Sequence, residues 1–145
     1  MTDLTAHVDG AARGNPGPAG IGVVLVDQRG QVVKQITEGL GITTNNVAEY
    51  KALIRALEEA HALGCSRITV YTDSELMAMQ INGRYRVKAP HLVPLFVRAM
   101  QLLAQFEKAT VTHTHRHNNS LADMLSKIAA EKSAEEEQPL ELQKP

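Results

Sequence analysis

The chain has 145 residues, 43% hydrophobic and 21% charged, with a net charge of −1 at neutral pH. That length suits one domain with a sizeable core rather than two, and no apolar run reaches the ~20 residues of a membrane span. The near-neutral charge excludes global attraction to nucleic acid, so such a partner has to be held by a local patch.

In chain order, residues 5–9 ("TAHVD") alternate and predict a strand ending on Asp9. Residues 20–40 read as a hairpin, two apolar runs meeting at Gln28-Arg29-Gly30. After Thr43, Thr44, Asn45 and Asn46, all turn or capping residues, Val47, Tyr50, Leu53, Ile54, Leu57 and Ala60 recur at helical spacing until Gly64. Residues 67–73 ("RITVYTD") form a second apolar strand ending on an aspartate. A short helix over 74–82 closes at Gly83, and a longer one follows over 91–109, with Pro94 in its first turn. A last strand over 110–115 leads to a last helix over 120–132, capped by Asn118 or Asn119. Residues 133–145 are acidic and contain two prolines, so a domain over 1–132 is expected to end in a disordered tail. The single Cys65 has no internal disulfide partner, and "MTDLTAHVDG" lacks a signal-peptide layout, which together point to the cytoplasm.

Three consecutive strands followed by alternating helices and strands predict an α/β fold. Its five-stranded mixed sheet would hold three antiparallel strands and then parallel crossovers, flanked by helices. Ligand chemistry in such sheets gathers outside the strand ends.

Four acids fall at suggestive places. Asp9 and Asp73 follow apolar strands, while Glu49 and Asp123 are expected in the first turns of the first and last long helices. Singly, each has an ordinary role. An acid in a first helical turn suits the macrodipole, Asp73 before Ser74 suits a helix cap, and Asp9 suits a turn. Those roles do not explain why two apolar strands both stop on Asp. Gathered on one rim the four would repel, and hard divalent cations such as Mg²⁺ or Mn²⁺ suit such oxygen ligands. Two such ions roughly 3.5–4 Å apart can activate water and steady a leaving oxygen in phosphodiester cleavage.

The segments "VDGAARGNPGPAGIG", "TTNNVAEYKALI", "YTDSELMAMQINGRYRVK" and "RHNNSLADMLSKIA", in that order, resemble the type 1 ribonuclease H family. The likeness runs from about residue 5 to about residue 130 and is nearest to the short prokaryotic members without a basic handle. It implies an endonuclease that cuts the RNA strand of RNA–DNA hybrids, leaving 5′-phosphate and 3′-hydroxyl ends. No protein partner is evident in the sequence, and a monomer is expected. Asp9, Glu49, Asp73 and Asp123 would hold two Mg²⁺ ions, with Mn²⁺ as a substitute. Asp9 would bridge the ions, Asp123 would hold the one preparing water, and Glu49 and Asp73 the one beside the leaving oxygen. Asn15, Asn45 and Asn46 would meet the hybrid near 2′-hydroxyls, which an amide can both donate to and accept from. Thr44 would touch a DNA-strand phosphate, and Arg116 a phosphate or the acids themselves. His113 would assist proton transfer or product release, although alternation alone also sets His113, His115 and His117 on one face. Arg84, Arg86 and Lys88 are the nearest basic cluster to replace the missing handle. A catalytically silent nucleic-acid-binding module on the same fold is the alternative, and a nuclease for DNA junctions a third reading.

Overall fold

The structure, a computed structural model, describes residues 3–136. Three antiparallel strands, β1 (Asp3–Ala12), β2 (Gly17–Val26) and β3 (Val32–Thr43), form a meander. Helix α1 (Asn45–Ala62) crosses to β4 (Arg67–Thr72), which lies parallel to β1. Helices α2 (Glu75–Ile81) and α3 (Val93–Leu103) lead to β5 (Lys108–His113), parallel to β4, and α4 (Ser120–Glu136) closes the described chain. The sheet order is β3-β2-β1-β4-β5, the five-stranded mixed sheet expected from the pattern. No helix among the described residues is long and apolar enough to cross a membrane.

Alternation in the central strand decides what each face meets. Leu4, Ala6 and Val8 are buried in the main core with Val70, Leu53, Leu57 and Ala99, on the side of α1 and α3. His7 and Asp9 point to the opposite side, where α4 packs over β1–β3. Each fully buried Leu of that core contributes roughly 1.5–3 kcal/mol.

Several boundaries differ from the sequence expectation. β1 does not stop at Asp9. Its pairing with β4 ends at Val8–Thr72, but pairing with β2 continues to Ala12, and Gly10 within that extension lies close against α1. α1 begins at Asn45 with Thr44 as N-cap, so Glu49 lies beyond the first turn rather than in it. α3 is shorter than 91–109, since a 3₁₀ turn over Pro90–Leu92 precedes it and the Glu107 N–H turns back to Ser66 O at 2.8 Å. β5 accordingly starts at Lys108. α4 runs on past residue 132 to Glu136, with Ser133 buried and donating to Ala19 O. Residues 137–145 of the expected tail lie outside the described residues.

Candidate active site

β1 is the strand at which pairing changes from antiparallel to parallel, and open α/β sheets bind ligands at such a place. Asp9 follows the last β1 residue paired with β4, and Asp73 follows the last residue of β4. Asp123 descends from the first turn of α4. One carboxylate oxygen from each of the three lies within 4.8 Å of the others. Ionised pairs at such spacing repel by about 3 kcal/mol at an effective dielectric constant of 20.

Glu49 approaches from the opposite face of the sheet. It is buried, and its Oε1 accepts the Gly10 N–H. A Cβ at Gly10 would lie 2.2 Å from the Ala48 carbonyl carbon, so only glycine lets α1 come this near. Burial raises the Glu49 carboxyl well above the ordinary range and the charges of Asp9 and Asp73 add to it, while the Gly10 N–H and Arg116 oppose. Asp9 behaves likewise. Burial pushes it up to about 8 against the Ser126 hydroxyl, with Asp73 and Asp123 contributing further.

The cations present stand at the rim. Arg116 Nε is 3.3 Å from Asp73 and 4.0 Å from Asp123, and Lys127 Nζ is 3.0 Å from Asp123. Both are exposed, so they offset the cluster only in part. Converging hard oxygen donors, two of them strained toward protonation by burial, fit a hard divalent cation.

Asp73 is not a helix cap, because Ser74 accepts the Met77 N–H and caps α2 instead. Asn119 is not a cap either. It is buried, donates to Val8 O at 2.7 Å and meets His7 Nδ1 at 3.2 Å, fixing the start of α4 to β1. Asn15, Asn45 and Asn46 are all exposed beside the β1–β2 turn. Asn15 Oδ1 accepts the Asn45 N–H and Asn45 Oδ1 accepts the Ala12 N–H, tying that turn to α1. Thr44 Oγ1 accepts the Val47 N–H, which leaves its own proton to donate outward. His113 is exposed at the end of β5, in register with Thr72 and 6.2 Å ring to ring from His115, which stacks on His117. Among the described residues no histidine joins the carboxylate group.

Sequence reasoning missed Ser126. It is fully buried, donates to Asp9 Oδ2, and lies 2.8 Å from Asp123 O. Its signal was a polar residue three positions after Asp123, on a face otherwise made by Ala122, Leu125 and Ala129. Gly22, the partner of Asp9 in β2, was missed too. A Cβ there would lie 2.2 Å from Ala122 O and 2.7 Å from Ser126 N, so this glycine lets α4 settle close enough to bring its acid to Asp9.

Comparison with known proteins agrees with this arrangement. The reverse transcriptase-like family model matches residues 7–129. A ribonuclease HI of Halobacterium salinarum is 44% identical over 124 residues, covering 86% of this chain and 62% of that protein. A bifunctional protein of Mycobacterium tuberculosis is 41% identical over 133 residues, covering 91% of this chain but only 36% of that protein. The solved N-terminal RNase H domain of a Mycobacterium tuberculosis protein superposes with a TM-score of 0.92 at 37% identity, over 95% of this chain and all of that domain. LC11-RNase H1, solved in complex with an RNA/DNA hybrid, gives 0.85 at 40% identity, covering 90% of this chain and 98% of its own. With α2 passing to α3 through an irregular connection and one 3₁₀ turn, the chain belongs to the type 1 ribonuclease H family in its short form.

Proposed function

We propose that the protein is an endonuclease that hydrolyses the RNA strand of RNA–DNA hybrids, leaving 5′-phosphate and 3′-hydroxyl ends. The observation that carries this reading is the convergence of Asp9, Asp73 and Asp123 within 4.8 Å beside a turn lined by exposed asparagines. The related LC11-RNase H1 in complex with an RNA/DNA hybrid supports the substrate.

Asp9, Glu49, Asp73 and Asp123 are the residues to hold two Mg²⁺ ions, or Mn²⁺ in their place. Such ions supply an activated water and charge stabilisation for the leaving oxygen. The rest falls to the chain itself. Ser126 and Gly10 orient the Asp9 and Glu49 carboxylates by hydrogen bonds. Arg116 restrains Asp73 at the rim and can meet a substrate phosphate. Asn15, Asn45 and Asn46 read the 2′-hydroxyls that distinguish RNA from DNA. Thr44 donates its free proton to a DNA-strand phosphate, and the exposed Arg84, Arg86 and Lys88 between α2 and α3 hold that strand where a handle is lacking. His113, exposed at the sheet end, exchanges protons with the product phosphate. All four acids come from one chain, so a monomer has a complete site.

The test is cleavage of a labelled RNA–DNA hybrid with Mg²⁺ or Mn²⁺, beside duplex DNA and duplex RNA, comparing the wild type with Asp73→Asn. Cutting of the hybrid's RNA strand by the wild type alone is expected. Absence of cutting with either metal at low salt would instead favour the silent binding module.

A further inference from the structure

Beside the carboxylates, α4 and the β1–β2 turn enclose a cleft of about 400 Å³ lined by Ala11, Ala12, Arg13, Lys127, Ala130 and Glu131. Three of these side chains are single methyl groups, which keeps the cleft open. Two are cations, placed on opposite walls. Arg13 is exposed in the turn, whose backbone is pinned by its own N–H to Pro18 O at 2.8 Å. Lys127 sits one helical turn beyond Asp123 and reaches back to it at 3.0 Å, which connects the cleft wall to the carboxylate group.

The turn has two flanks. One is tied to α1 through Asn15 and Asn45, next to Thr44, and the other borders this cleft on the α4 side. α1 and α4 pack on opposite faces of the sheet, so the cleft lies away from the flank at which Thr44 would meet the DNA strand. Lys127 links the cleft wall to Asp123, so a strand lying over Asp9, Asp73 and Asp123 would pass beside it. We propose that Arg13 and Lys127 clamp a phosphate of the RNA strand next to the scissile one, deepening the hybrid-cleaving function proposed above, on which it rests. Glu131 closes the far end with a negative charge and limits the clamp to a single phosphate.

The test is binding of a short fluorescent RNA–DNA hybrid in EDTA, with single neutral methylphosphonates placed in turn at each phosphate of either strand. Wild type should lose affinity at one RNA-strand position beside the cleavage site. Arg13→Ala should bind the unmodified hybrid about tenfold more weakly and lose less than the wild type from that substitution. Its log affinity against log salt should flatten by about 1, and Arg13→Lys should restore most of the slope. Glu131→Gln should bind more tightly, and Lys108→Ala, at the far end of the sheet, should bind as wild type does. A sensitive position on the DNA strand, or an unchanged Arg13→Ala slope in a protein that still cuts hybrid, overturns the clamp alone. Failure of the wild type to bind or cut any hybrid overturns the hydrolase function and the clamp together.

Discussion

Asp9 is the residue on which burial and charge conflict most openly. Its carboxyl has an ordinary value of 3.8, and burial in the fold pushes it up to about 8. Between those values the folded state binds the extra proton, so stability of the metal-free protein falls as pH rises through that window. Glu49, raised for the same leading reason, acts in the same direction. Thermal denaturation in EDTA should therefore show a midpoint that drops from pH 5 to pH 8, by the equivalent of a few kcal/mol. A midpoint that rises over that range would contradict the burial argument. Asp9→Asn removes the ionisable group and should flatten this dependence, stabilise the metal-free protein at pH 8 and abolish cleavage. Retained turnover in that variant would sink the proposed mechanism. Divalent cations compete with the same protons, so their stabilising effect should grow with pH.

At the scale of elements, the site depends on how closely α1 and α4 approach the central strands. Gly22→Ala would drive a methyl group into Ala122 O and Ser126 N, forcing α4 outward. The cost should be roughly 1–3 kcal/mol by overpacking, measurable in urea denaturation. Metal affinity should fall with it, because Asp123 and Ser126 ride on the displaced helix. Calorimetry showing unaltered metal binding in a destabilised Gly22→Ala would separate helix seating from ligand placement and refute the link. Asn119→Ala leaves the Val8 carbonyl without its 2.7 Å donor, at about 1–3 kcal/mol, and frees the start of α4 from β1.

At the scale of the whole molecule, a net charge of −1 offers a hybrid no general attraction. Binding then rests on few cations, with Arg84, Arg86 and Lys88 exposed together between α2 and α3. Affinity for the hybrid should be modest and fall steeply with salt. Arg86→Ala should weaken binding and reduce the log–log salt slope by about 1. An unchanged slope would remove this cluster from the interface. The edge of the molecule formed by β5 is also partly blocked, since Asn82 Nδ2 donates to Val111 O at 2.9 Å and occupies one of its free carbonyls.

The amino-acid sequence by itself determined the element order, the mixed sheet and the residues of the carboxylate cluster. The first two are written in local pattern, as alternation in β1 and β4 and helical spacing from Val47, while the acids were marked by the motifs that resemble the family, with only Asp73 and Asp123 set at a strand end and a helix start. It did not determine where β1 ends, because pairing with β2 carries the strand past Asp9 to Ala12, and such pairing is a property of two segments together. Nor did it show Asn119 leaving its expected cap to hold Val8, or Ser126 turning inward to Asp9. The depth of Glu49 belongs to the same class. Its raised carboxyl comes from α1 lying against a strand that carries no side chain at Gly10, and only packing across the sheet creates that contact. Local propensity writes the elements, while burial and charge are decided where elements meet.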